Sequence, residues 1–293
     1  MNGVLVIDKP AGMTSHDVVN RVRRVLKERS VGHLGTLDPM ATGVLPLLLG
    51  KMTRLAPFFS ESEKVYQGEI RFGFATDTYD SDGEAAGPEV EVNLTLERVR
   101  QAACGFLGVI SQVPPPFSAK KVAGVPAYKL ARGKKPVELK PVQVEIKEFE
   151  ILGLEGDRAR FRARVAAGTY IRSVAHEMGK ILGVGAHLSS LQRTASGEFG
   201  IAEAVTLERL EEAMREGSAE GLMVHPRRVL PALPCVNATE ADVAKIRNGR
   251  AVNLPEMSRA KLVKVFFGQS ELVAVASRVA GTLFQPKVVL GVE

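Results

Sequence analysis

The sequence predicts an α+β fold, with one large domain (residues 1–230) followed by a small β-rich module (231–293). Three observations carry this prediction. Period-two and period-3.6 apolar patterns alternate over the first two hundred or so residues. Two long strand-like runs, 142–152 and 158–167, face each other across a glycine-bounded turn, as antiparallel neighbours do. Past a connector holding Pro226, Pro231 and Pro234, only short strand-like runs and one short helix remain. A length of 293 residues accommodates one large and one small domain.

Val4–Ile7 reads as a short buried strand, closed by a turn at Lys9-Pro10-Ala11-Gly12. Thr14-x-x-Asp17 is a capping-box start, and Val18, Val19, Val22, Val25 and Leu26 follow at helical spacing. The opposite face of this helix carries Arg21, Arg23, Arg24, Lys27 and Arg29. It reads either as a solvated face or as a phosphate-contacting one. Tyr66, Gly68, Ile70, Phe72 and Phe74 alternate as in a half-buried strand. That strand runs into the acidic loop Thr76-Asp-Thr-Tyr-Asp-Ser-Asp-Gly83. A calcium loop of EF-hand type would need a distal glutamate where position 88 is proline, so a polar turn near the site is expected instead. On the strand 158–167, Arg158, Arg160, Arg162 and Arg164 share one face. A simple register sets Glu150 opposite Arg160 and Glu148 opposite Arg162, so cross-strand ion pairs account for the stripe without a nucleic acid. Helical patterns follow from Arg172 to Leu182 and from Leu207 to Arg215, behind Thr206. In the terminal module Thr239-x-x-Asp242 starts a short helix ending at Asn248-Gly249, and 261–267, 271–276 and 287–290 read as strands.

Composition narrows the class. Apolar residues make up 45% and charged residues 25%, as in ordinary globular proteins. The net charge of +6 and pI near 9.3 permit a polyanionic partner without requiring one. Cys104 and Cys235 lie far apart, which supports neither a disulfide framework nor a cysteine zinc site and fits a reducing compartment. The N-terminal segment meets Asp8-Lys9-Pro10 before a secretory core could develop, and Val44–Leu49 is interrupted by Pro46 and too short for a bilayer. A cytoplasmic, soluble protein is the expectation.

The most distinctive segment is Ser30-Val-Gly-His-Leu-Gly-Thr-Leu-Asp-Pro-Met-Ala-Thr-Gly-Val-Leu45. Gly32, Gly35 and Gly43 frame His33 and Asp38, and Pro39 pushes Asp38 out of the helical region onto an extended loop. Neither Walker spacing nor Gly-x-Gly-x-x-Gly is present, and Gly50-Lys51 is followed by Met52 rather than a hydroxyl residue. By spacing alone Asp38 reads as a turn or cap residue. Tyr66 likewise reads as a core aromatic, and His33 as a polar loop residue. Arg172 at a helix start sits against the dipole, a hint that it serves another partner. His176-Glu177 lacks the second histidine of a zinc-protease helix, since position 180 is lysine.

The segment 30–45 closely resembles the catalytic motif of the TruB family of transfer RNA pseudouridine synthases, Gly-His-x-Gly-x-Leu-Asp-Pro-x-Ala-x-Gly-x-Leu, at every fixed position. The resemblance is collinear over roughly residues 1–200. Asp8–Ser15 is similar to an N-terminal Lys-Pro-x-Gly motif; Lys64-Val-Tyr66 with Thr76–Gly83 resembles a second motif. Pro115–Lys121 with Gly124 and Tyr128–Arg132, then Gly168–Arg172 and Gly185–Arg193, resemble later ones. The terminal module resembles an RNA-binding PUA domain only loosely. The resemblance implies a central mixed, mainly antiparallel sheet flanked by helices and loops. It implies isomerisation of uridine to pseudouridine at position 55 in the T arm of tRNA, with no cofactor, no metal, and no obligatory protein partner or guide RNA. It further implies that Asp38 is the catalytic carboxylate and that Arg172 pairs with it and holds it ionised. Tyr66 would stack on the uracil, Tyr170 and Leu191 would line the base pocket, and His33 would contact the flipped nucleotide or brace the RNA loop. Basic segments at 21–29, Lys120-Lys121 and Arg132–Lys135 are the expected phosphate contacts.

Overall fold

In the first strand, β1 (Gly3–Lys9), successive side chains enter two different cores. Leu5 and Ile7 join one apolar cluster, while Val4 and Val6 join another on the opposite face. This is what period-two geometry requires of a strand covered on both sides. The computed structural model describes residues 1–118, 120–122, 125–126 and 139–290.

The large domain is built on a nine-stranded sheet. After β1 come β2 (Val31–His33), β3 (Thr42–Leu49), β4 (Lys64–Phe72) and β5 (Gly108–Gln112). A small separate pair, β6 (Lys121–Val122) and β7 (Val125–Pro126), precedes β8 (Val142–Glu155), β9 (Arg158–Val165), β10 (Ala186–Ser196) and β11 (Phe199–Gly200). The order is β1-β3-β10-β4-β9-β8-β5, with β2 added to β3 and β11 to β10. Only the β3–β10 pair is parallel; the others in this sheet are antiparallel, as expected from the family resemblance.

Helices α1 (Ser15–Leu26), α2 (Leu96–Cys104), α3 (Ile171–Leu182) and α4 (Leu207–Glu216) bury their apolar stripes on one face of the sheet. Helix α1 starts with the predicted capping box, in which Thr14 and Asp17 satisfy each other's backbone N–H groups. Its basic face is only partly free. Arg21 is held by Glu208 and Glu211 of α4, and Arg23 donates to Asn20 and the Val31 carbonyl, leaving Arg24, Lys27 and Arg29 exposed. Helix α3 seats directly on β10 because position 179 is glycine; a Cβ there would collide with the Ala186 backbone. The sequence reading anticipated α1, α3 and α4, but not α2 or the 3₁₀ segment Gly50–Phe59.

The hairpin register differs from the simple one. The turn is the two-residue Gly156-Asp157, with Gly156 at φ +59°, so β8 continues to Glu155. Glu150 faces Arg162 and Glu148 faces Arg164, two residues further along β9 than expected. A shift of two keeps every side chain on its face. Cross-strand pairing therefore survives: Arg164 meets Glu148 at 2.7 Å, Arg158 meets Glu69 at 2.7 Å, and Arg160 meets Glu155 at 3.2 Å.

Residues 235–290 form a second, five-stranded sheet of β12 (Cys235–Asn237), β13 (Val252–Asn253), β14 (Leu262–Phe267), β15 (Glu271–Ala280) and β16 (Leu283–Val289). Helix α5 (Glu240–Arg247) covers it through Val243 and Ile246. The module does not hang free. Phe266, Leu272, Val275 and Leu290 share a core with Val4, Val6, Val44 and Leu48 of the large sheet. Among the described residues, no helix is long and apolar enough to cross a membrane.

Candidate active site

Asp38 lies on the loop between β2 and β3, and that loop is tied down from three directions. Ser15, the first residue of α1, accepts from the Leu37 N–H at 2.8 Å and donates to the Leu37 carbonyl at 3.1 Å. From the end of β1, the Lys9 ammonium donates to the carbonyls of Pro10 (2.8 Å), Met13 (2.6 Å) and Pro39 (3.2 Å). From β10, Arg193 donates to the carbonyls of Val44 (2.7 Å), Gly35 (3.0 Å) and Thr36 (3.4 Å). Both cations are fully buried. Their partners are carbonyl dipoles, which fix a loop's position without neutralising the charge. Burial accordingly lowers the Lys9 pKa to about 8.

The glycine at the far end of the motif has a steric cause. Gly43 sits at φ +99° and pairs in parallel with Arg193, whose carbonyl oxygen occupies the space a Cβ would need. The close approach of β3 to β10 sets Asp38 and Leu191 in the walls of one cleft.

Opposite Asp38, Arg172 opens helix α3. Its N-terminal neighbour Tyr170 is pinned by Gln112, which accepts from the Tyr170 N–H at 2.8 Å and donates to its carbonyl at 3.1 Å. The Arg172 guanidinium engages Asp38 side-on: Nη2 donates to Oδ1 at 2.9 Å and Nε lies 2.8 Å from Oδ2. The remaining donors go to the Thr78 carbonyl (3.0 Å) and the Phe117 carbonyl (2.9 Å), with the Asp80 carboxylate 3.3 Å from Nη1. Arg172 and Asp80 are both almost completely buried. The acidic loop read as a polar turn near the site thus contributes a second carboxylate to Arg172.

One guanidinium facing two carboxylates does not neutralise both. Burial pushes the Asp38 carboxyl above the usual carboxylate range; Arg172 pulls it down, and the Asp80 charge pushes it up again. The pairing expected from the sequence is present. The net direction is opposite to the one expected from that pairing alone, because desolvation outweighs the ion pair.

These groups line a cleft of about 330 Å³. Its walls include Asp38, Tyr66, Tyr170, Arg172 and Leu191, five of the six residues singled out from the sequence. Tyr66 is only 8% exposed and serves as both core aromatic and cleft wall. His33 is not among the lining residues; it ends β2, half-buried, with its Nδ1 lacking a protein partner. Burial, then the Arg193 charge, lowers its pKa. Lys64, Arg193, Ser60 and Ser118 also line it and were not singled out from the sequence as site residues. Of the expected phosphate contacts, Arg132–Lys135 lies outside the described residues. Among the described residues, no cluster of His, Cys, Asp and Glu is placed to hold a metal ion.

A carboxylate, a guanidinium, two tyrosines and a leucine around one cleft fit a planar ring brought against a reactive acid. Comparison with known proteins gives the family. Residues 23–171 match the model of the TruB family pseudouridylate synthase N-terminal domain, and 172–232 match that of the tRNA pseudouridylate synthase B C-terminal domain. The chain belongs to the TruB family. It is 49% identical over 293 residues to the tRNA pseudouridine synthase B of Solibacter usitatus, covering 99% of this chain and 100% of that one. It is 39% identical to the protein of the same name from Geobacter sulfurreducens, covering 96% and 95%. A chain in the structure of an H/ACA ribonucleoprotein bound to a substrate RNA containing 2′-deoxyuridine superposes with a TM-score of 0.72 at 26% identity, over 99% of this chain and 85% of that one. The TruB motif that identified the sequence is, in the fold, the loop clamped by Ser15, Lys9 and Arg193.

Proposed function

We propose that the protein isomerises uridine to pseudouridine in tRNA, at position 55 of the T arm, with Asp38 as the catalytic carboxylate. The observation that carries this reading is the side-on Arg172–Asp38 pair in a cleft walled by Tyr66, Tyr170 and Leu191. The reaction breaks the bond between uracil N1 and C1′, turns the base, and joins C5 to C1′; the C5 proton leaves and N1 gains one, so nothing is oxidised or hydrolysed. A carboxylate serves this whether it adds to the sugar or removes a sugar proton. A uridine in a folded loop reaches Asp38 only by leaving its stack. Stacking on Tyr66 would offset that cost, at ~1–3 kcal/mol per base–aromatic contact. The raised Asp38 pKa suits the same role, since a carboxylate with a raised pKa is more basic than an ordinary one. His33 ends β2 outside the cleft lining, so in this reading it would brace the RNA loop or meet the flipped nucleotide outside the base pocket. The terminal module, PUA-like in this reading, would extend the RNA contact beyond the T arm.

Asp38→Asn tests the assignment. Binding of unmodified tRNA should be retained while pseudouridine formation, followed by tritium release from C5-labelled tRNA, is lost. Turnover near the wild-type rate would remove Asp38 from its role. A guide-dependent enzyme is the second reading, favoured by the likeness to a chain in an H/ACA particle. The higher identity over full length to proteins named tRNA pseudouridine synthase B supports the stand-alone one. Activity of the purified chain on unmodified tRNA, without added RNA or protein, separates the two.

A further inference from the structure

On α3 and the acidic loop that meets Arg172 stands an aromatic pair outside the cleft lining. Tyr79 occupies the left-handed region at φ +66°, where a residue with a side chain persists only if its surroundings hold it. Its ring lies 3.7 Å from that of His176, with the planes 12° apart. His176 follows Arg172 by four residues on α3, so both project from the same helix face. The His176 Nδ1 is buried without a hydrogen-bond partner. The imidazole is thus held here by stacking rather than by a polar bond at that atom.

The two residues flanking Tyr79 are those that meet Arg172 from this loop: the Thr78 carbonyl accepts from Nη1, and Asp80 faces the same nitrogen. The Tyr79 backbone is itself tied across to β10, its carbonyl accepting from the Leu188 N–H at 3.0 Å. The ring of Tyr79 anchors the loop to α3 at the point between these two contacts.

We propose that the Tyr79–His176 stack is a positioning clamp for the reaction. It fixes the 76–83 loop on α3, so that Thr78 and Asp80 hold the Arg172 guanidinium in the plane where it grips Asp38. Tyr79 and His176 are positioning residues and touch no reacting atom. The inference rests on the reading of Asp38 as the catalytic carboxylate. A merely structural stack would affect thermal stability and leave the rate of the bound complex alone.

The test compares Tyr79→Gly, which removes the ring but suits the positive φ, with Tyr79→Phe, which keeps the ring. His176→Ala and His176→Phe repeat the comparison from the helix side. The readouts are the single-turnover rate on saturating tRNA, the tRNA dissociation constant and the thermal midpoint. Tyr79→Gly and His176→Ala are expected to slow the single-turnover rate about tenfold, since small misplacements of catalytic groups are costly. Their tRNA affinity should stay within about twofold, and both phenylalanine variants should stay within about twofold in rate. Wild-type rates in Tyr79→Gly, or equal losses in the glycine and phenylalanine variants, would overturn the clamp. If Tyr79→Gly does not fold, the His176 pair decides: an unimpaired His176→Ala overturns it. Asp38→Asn run alongside separates the two levels. An inactive Asp38→Asn with a fully active Tyr79→Gly sinks the clamp alone; an active Asp38→Asn sinks the reading beneath it.

Discussion

At the Asp38 carboxylate, burial and a neighbouring carboxylate work against one guanidinium, and burial wins. A pH prediction follows. With Asp38 as the proposed catalytic carboxylate, the ionised form is the active one, and single-turnover activity should fall as pH drops through the Asp38 pKa of the folded protein. The acid limb should then lie above ~4, the ordinary aspartate value. An acid limb at or below that value would show that Arg172 dominates after all. For stability the sign runs the other way. A carboxyl whose folded pKa is raised binds its proton more tightly in the folded than in the unfolded chain, so at neutral pH ionised Asp38 destabilises the fold. Asp38→Asn should therefore lose activity without lowering the thermal midpoint at pH 7. Read from sequence, Asp38 was an unremarkable loop acid until the long motif match gave it meaning. Spacing did not single out Lys9, Asp80 or Arg193, because each acts on Asp38 or its loop from a different strand or loop.

At the scale of elements, the site is a junction of four pieces: the 34–41 loop, β4, β10 and the start of α3. Gly43 joins β10 to β3, the strand into which the 34–41 loop runs. Gly43→Ala should destabilise the protein by about 2 kcal/mol or more, combining a left-handed backbone with a clash against the Arg193 carbonyl. A denaturant midpoint equal to wild type would contradict that account. On α1 the structure divides a face that the sequence left undivided. Arg21 is committed to α4, whereas Arg24, Lys27 and Arg29 are free to meet phosphate. Replacing those three with glutamine should flatten the salt dependence of tRNA binding by up to ~3 in slope if that surface meets the backbone. An unchanged slope returns it to a solvated face. Helix α1 was readable because its cap, periodicity and length agree. Helix α2 was missed because Thr95 caps it one way only, accepting from the Arg98 N–H; with arginine at 98 it lacks the reciprocal box that marks α1 and α5.

Across the whole molecule, the terminal module and the large sheet fold around a shared core. Phe266 is fully buried there among residues of both sheets. Phe266→Ala should cost roughly 3–5 kcal/mol, and it should lower a single cooperative transition rather than melt the module by itself. Two separated transitions in the wild type would show that the module is thermodynamically independent. The division at residues 230 and 231 expected from the prolines lies between the last strand of the large sheet, ending at Gly200, and the first of the second sheet, starting at Cys235, and the shared core runs across it.

The sequence by itself determined the family, the acid at position 38, the aromatic and apolar lining of the cleft, and the alternation that buries β1 on both faces. These are written in local order, as motif, cap and period. Only the tertiary structure decided the rest: that Arg172 serves two carboxylates, that buried Lys9 and Arg193 hold the Asp38 loop through carbonyls, and that the hairpin register is shifted by two. It also decided that Tyr79 stacks on His176. The physical reason is common to all four. Each depends on distance between segments far apart in the chain, and pairwise charge, desolvation and strand register are functions of that distance, which local pattern does not encode.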